Sequence, residues 1–126
     1  MKYKIFLSLG IIIALLVFTV FSLIYLNTMM SDFLTKIDEC NKNIGTDNEK
    51  AAEIFKEFSD EYENKKLIIS FYMHDERLDS INMLVNKLNN LFDEGDEIML
   101  ISEIEELKAE IEKIYLENEV SFENIF

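Results

Sequence analysis

The sequence predicts an all-α protein: an N-terminal transmembrane helix that continues into a small antiparallel up-down helical bundle. Three observations predict it. Residues 5–26, IFLSLGIIIALLVFTVFSLIYL, form an apolar run without a charge. The chain has no proline, and its three glycines stand at 10, 45 and 95, so little in it opposes a helix. Beyond the run, apolar residues recur at three- and four-residue steps in segments that stop near the last two glycines.

The apolar run comes first. At ~1.5 Å per residue it spans roughly 33 Å, about the hydrocarbon thickness of a bilayer, and a helix satisfies its own backbone hydrogen bonds there. Lys2 and Lys4 precede it, whereas Asp32 is the first charge after it and Lys36 the first basic residue. The positive-inside bias then puts residues 1–4 in the cytoplasm and residues 27–126 outside, as a single-pass protein of the cell membrane. A cleaved signal peptide has a shorter core closed by a small-x-small site. Here Phe21, Leu23, Ile24, Tyr25 and Leu26 crowd the end, so an uncleaved signal-anchor is expected. Gly10 and Ala14 make a small-xxx-small pair, a candidate contact for a homodimer, although small residues are common in membrane helices.

The next helix face is read from Met30, Phe33, Ile37, Cys40 and Ile44, which continue the first helix to about Asn43. Gly45 is a natural C-cap. Thr46-Asp47-Asn48-Glu49 reads as a capping box with Thr46 and Glu49 as reciprocal partners. A second helix, about 47–72, carries Ala51, Phe55, Phe58, Tyr62, Ile69 and Tyr72, widened by Ile54 and Ile68 and interrupted by Lys65 and Lys66. Residues 71–74 mark a break. A third helix, about 75–92, shows Leu78, Ile81, Leu84, Val85, Leu88, Leu91 and Phe92. Asp93-Glu94-Gly95-Asp96 is a turn with Asp96 as N-cap. A fourth helix, about 97–119, shows Ile98, Ile101, Ile104, Leu107, Ile111, Ile114 and Tyr115. Short connections make neighbours antiparallel. The apolar tail residues Phe122, Ile125 and Phe126 are expected to fold back on the bundle; as the alternative, Phe122, Asn124, Ile125 and Phe126 form a docking peptide for a partner.

Charge narrows the partners. Net charge is −13, from 25 acidic and 12 basic residues; every acid lies beyond residue 31 and two lysines precede the run, leaving about −15 on residues 27–126. Nucleic acid needs a basic surface, so it is excluded as a partner. The same charge disfavours the domain lying flat on anionic lipid. A solvated acidic surface is the simplest account.

Catalytic chemistry is sparse. The one histidine, His74, lies near Asp75 and Asp79, but first-row metal sites recruit more imidazole or thiolate than this, and a helix-junction role is favoured. The acidic turn 93–97 lacks the alternating ligands of a calcium loop. The single cysteine, Cys40, excludes an internal disulfide; it reads as a buried thiol, with pairing between two chains as the alternative. No nucleophile–base pair emerges, so no enzyme, cofactor or metal is expected.

The basic start and single span, the segment His74-Asp75-Glu76-Arg77-Leu78-Asp79-Ser80-Ile81, and the ending Glu117-Asn118-Glu119-Val120-Ser121-Phe122-Glu123-Asn124-Ile125-Phe126 resemble a family of small anchored proteins. It is the domain-of-unknown-function family four-three-six-three, of clostridia and related spore-forming bacteria. The resemblance covers nearly the whole chain. The family's pattern has tryptophan near the position of Tyr62, where this chain keeps an aromatic ring. The resemblance implies an uncharacterised single-span helical protein with no assigned catalysis. The expected function is therefore a non-catalytic interaction module or accessory subunit, held through residues 5–26 beside a membrane or envelope protein. A ligand or stimulus sensor acting through a membrane partner is the alternative.

Overall fold

The structure, a computed structural model, describes the backbone of residues 2–125 and the side chains of residues 2–117. Four helices fill the described residues: α1 Lys2–Asn43, α2 Asn48–Ser70, α3 Asp75–Glu94 and α4 Glu97–Ile125. Around the bundle α1 packs on α2 and α4, and α3 packs on α4 and α2. Three tight turns impose the up-down order expected from the sequence.

Each turn has a local cause. After α1 the chain reverses through Gly45 at φ 87°, a left-handed conformation that only glycine adopts without cost. The cap of α2 differs from the expected box. Asp47, not Thr46, is the N-cap, its Oδ1 accepting the Lys50 N–H at 3.1 Å. Thr46 Oγ1 instead donates to the Lys42 carbonyl, and Asn48 Oδ1 accepts from Gly45 N–H. A capping aspartate sets a full charge against the helix dipole, and it takes the position. Gly95, at φ 75°, closes α3 by donating its N–H to the Leu91 carbonyl, and Asp96 Oδ1 accepts from Met99 N–H to open α4. No glycine serves the α2–α3 turn. There Phe71 and Tyr72 donate to the carbonyls of Ile68 and Ile69, and an extended His74 starts α3.

One apolar core runs through the bundle. From α1 it takes Leu26, Met29, Met30, Phe33, Ile37 and Cys40. The face of α3 is the expected one. On α2 the spacing turns Ile68 and Tyr72 inward, but they are 39% and 40% exposed: Tyr72 lies past Ser70, where the helix has ended, and Ile68 sits one position round the helix from the fully buried Ile69. On α4, Ile98 and Ile101 were expected inward and face out, at 83% and 46% exposure; Leu100 takes the buried place, one helical turn before Ile104. Aromatic rings bind α1 to α2. Phe33 meets Phe58 edge-on at 5.2 Å and Tyr62 at 6.2 Å, and Phe55 stacks on Phe92 of α3 at 5.1 Å.

The backbone of α4 continues past Glu119 to Ile125. The tail side chains, including the docking candidates Phe122, Asn124 and Ile125, and the whole of Phe126 lie outside the described residues.

Candidate functional site

Three places were singled out by their chemistry, and the fold keeps them apart. The first is the exposed half of α1. Among the described residues, 2–19 are all exposed, partial burial begins at Val20, and Leu26 is the first buried residue. The best apolar window of this helix has none of its residues buried. Gly10 and Ala14 lie in this half; a Cβ at Gly10 would meet nothing within 4 Å, so the helix has room there for close approach by another helix.

The second place is a cleft of about 260 Å³ at the base of the bundle. Leu23 and Leu26 of α1 wall one side, Tyr72, Met73 and His74 of the α2–α3 turn another, and Arg77, Ile114 and Glu117 close it. Arg77 grips Glu117 with both arms, Nη1 to Oε2 and Nη2 to Oε1, the latter at 2.8 Å. That bidentate pair holds the Glu117 carboxyl below the usual glutamate range and raises the Arg77 guanidinium. His74 stands at the start of α3. Its carbonyl accepts from Arg77 and Leu78 N–H, and its ring makes no capping hydrogen bond. The cleft therefore offers an imidazole edge and an apolar floor, with its guanidinium and carboxylate engaged by each other. Among the described residues no three His, Cys, Asp or Glu side chains are grouped to hold a metal.

The third place is Cys40. It is fully buried, its Sγ donating to the Ala51 carbonyl at 3.3 Å, and burial pushes the thiol up to about 12. In this fold a second chain has no access to it. The acidic turn at 93–97 is taken up by structure: Asp96 caps α4, and Glu97 accepts from Asn48 Nδ2 at 2.8 Å.

The fold also makes a polar belt that the sequence did not announce. Glu61 receives Lys36 at 2.7 Å and Lys65 at 2.9 Å, which depresses its carboxyl. Glu103 is 7% exposed and accepts from Lys87 Nζ at 2.8 Å, while its Oε2 has no partner among the described residues. Tyr62 donates to Asn82 Oδ1 at 2.5 Å, and burial raises its phenol. Lys65 reaches Glu61 from one turn away on the same helix, but the other three pairs lie 16–25 residues apart, and only the packing of helices brings those together.

A protein-family model, Domain of unknown function (DUF4363), matches residues 20–125. Neither a curated protein nor a solved structure matches the chain. The matched region starts where partial burial starts in α1, so it takes in the end of the apolar run and the whole bundle.

Proposed function

The chain belongs to the DUF4363 family, whose function is uncharacterised, and from that premise we propose that it is a membrane-anchored, non-catalytic interaction subunit. Its bundle stands at the outer face of the cell membrane beside a membrane or envelope protein. One observation carries the proposal: a single unbroken helix is exposed throughout residues 2–19 and supplies the bundle core from Leu26 onward.

Twelve large apolar side chains between residues 5 and 21 are more than half exposed. At roughly 1.5 kcal/mol each, leaving them in water costs roughly 18 kcal/mol, more than a domain's whole stability. Lipid removes that cost. Burial of Leu26, Met29 and Met30 in the same helix supports an uncleaved anchor, since a cut after the run would fall inside the packed segment. The lysines at 2 and 4 support a cytoplasmic N-terminus. The interaction role is favoured by the lack of a nucleophile–base pair in the sequence.

The test uses the chain tagged at its native locus. Membranes are washed with alkaline carbonate, intact cells are treated with protease, and crosslinked material is gently solubilised. The expected result is carbonate-resistant protein, cleaved from outside, that reproducibly brings down one envelope protein. Release by carbonate overturns the anchor, and recovery of the chain alone overturns the interaction role. The base cleft favours a second reading, a ligand sensor acting through a membrane partner; a small molecule that protects the bundle from heat would select it.

A further inference from the structure

We infer that the α2–α3 turn is a second lipid contact, with Leu67, Phe71 and Tyr72 seated in the headgroup–acyl boundary of the bilayer that residues 5–26 cross. This rests on the anchor proposed above and adds a surface that the span does not include.

Three considerations of depth agree. A hydrocarbon core of ~30 Å needs about 20 helical residues, so a span starting at Ile5 ends near Ile24. At that level Leu23 and Leu26 share the base cleft with Tyr72 and Met73 of the turn. The register of α1 against α2 is independent of the cleft. Cys40 sits beside Ala51 and Phe33 beside Phe58. Continued at the same rise, the pairing sets Phe71 level with about residue 20, inside the span. Partial burial in α1 also starts at Val20, and full burial at Leu26, which means the bundle base overlaps the end of the apolar run.

The chemistry of the turn suits that depth. Leu67 and Phe71 are 72% and 78% exposed, and Tyr72 is 40% exposed. No acidic residue occurs from Asn64 to His74, and Lys65 and Lys66 lie there. The opposite end of the bundle collects Asp47, Glu49, Asp93, Glu94, Asp96 and Glu97 in and beside its two turns. The upper end thus gathers six carboxylates in and beside its turns, whereas the lower turn is flanked by Asp75 and Glu76 at the start of α3 and by Glu117, which Arg77 engages, and only the stretch 64–74 itself lacks an acid. Both lysines are paired, Lys65 with Glu61 and Lys66 with Glu63, so they neutralise their surroundings more than they attract anionic lipid. The seat is therefore apolar and aromatic in origin, like the tyrosine and tryptophan belts of membrane proteins.

The chain contains no tryptophan, so one introduced residue is a clean reporter. Three full-length variants, Phe18→Trp, Phe71→Trp and Ile98→Trp, change exposed positions and leave the core intact. Each is reconstituted in phosphatidylcholine–phosphatidylglycerol vesicles with and without acyl-chain-brominated lipid. Phe18→Trp reports the anchor. The expected result is strong quenching at 18, blue-shifted and quenched emission at 71 from bromines about 5–10 Å below the headgroups, and water-like emission at 98. Quenching at 18 with water-like, unquenched emission at 71 overturns the inference and leaves the anchor standing. Absence of quenching at 18 overturns both. A blue shift at 71 that grows with protein density and is not quenched assigns the turn to a second copy of the chain, and also overturns the lipid seat.

Discussion

Truncating Phe58 tests how α1 is bound to the bundle. Its ring is 1% exposed and lies 5.2 Å from Phe33 of α1, 5.6 Å from Phe55 and 6.1 Å from Tyr62. A Phe→Ala change in a core costs about 3–5 kcal/mol, and each lost ring pair adds about 0.5–1.5 kcal/mol beyond burial. With three ring partners, Phe58→Ala belongs at the upper end, at least about 4 kcal/mol. With a urea slope of about 2 kcal/mol per M, the unfolding midpoint falls by about 2 M. The assay is urea unfolding of the full chain in mild non-ionic detergent, followed by circular dichroism, in which the α1 apolar half contributes a constant signal. Phe58→Leu keeps most of the volume and is expected to cost about 1.5 kcal/mol or less. Met83→Ala, at a position 73% exposed, stays within about 0.5 kcal/mol. A midpoint shift under about 0.5 M for Phe58→Ala, about 1 kcal/mol on the same slope, refutes the aromatic seam as the joint between α1 and α2.

Asp47→Ala removes the α2 cap and is expected to cost about 1 kcal/mol, whereas Thr46→Ala stays within about 0.5 kcal/mol; equal losses in urea titrations would restore the capping box. Glu61 has its folded pKa lowered by hydrogen bonds from Lys36 and Lys65, so it adds stability above the ordinary glutamate pKa of about 4.3, and that stability drains as pH falls through the lower folded value. The melting temperature of the natural chain should therefore drop more steeply below about pH 4.3 than that of Glu61→Gln, and parallel acid limbs would contradict the belt. Cys40 is expected to resist a maleimide in the folded chain and to react when urea opens the bundle, with mass spectrometry as the readout; full labelling without urea would mean that the α1–α2 interface opens freely.

The elements were legible in the sequence because helical periodicity is local. The stripe Met30, Phe33, Ile37, Cys40, Ile44 is buried as spacing predicts, and Gly45 and Gly95 take the left-handed conformations that end α1 and α3. The start of α4 was not legible. Ile98, Met99, Leu100 and Ile101 are all apolar, so local pattern leaves the inward residue undecided, and the position of α4 between α1 and α3 selects Leu100. The base cleft was legible only in its parts. His74 stood out as the single histidine, but its neighbours Leu23 and Glu117 lie far away in sequence and meet only when the ring of helices closes. The buried Glu103 shows the same limit, because its acceptability depends on Lys87, 16 residues earlier on the facing helix.

The continuity of α1 constrains whatever the bundle does. Between Gly10 and Gly45 the chain has neither glycine nor proline, and α1 stays helical throughout. Kinks in helices need such a residue or an inserted side chain or water. On the proposed topology the bundle therefore cannot swivel on a flexible stalk. Each residue of α1 fixes its height by ~1.5 Å and its bearing by about 100°, so span and bundle share one register. On the same proposal, a partner embedded in the same membrane would meet one face of the bundle at one height. That face is set largely by α2, α3 and α4, since the core-forming stripe of α1, from Leu26 to Cys40, faces inward. The outward residues of α3 and α4, Met83, Ile98 and Ile101 among them, hold their exposed apolar side chains at fixed bearings. An anchor of this kind presents a surface as well as tethering it, which is why the interaction role and the unbroken helix support each other.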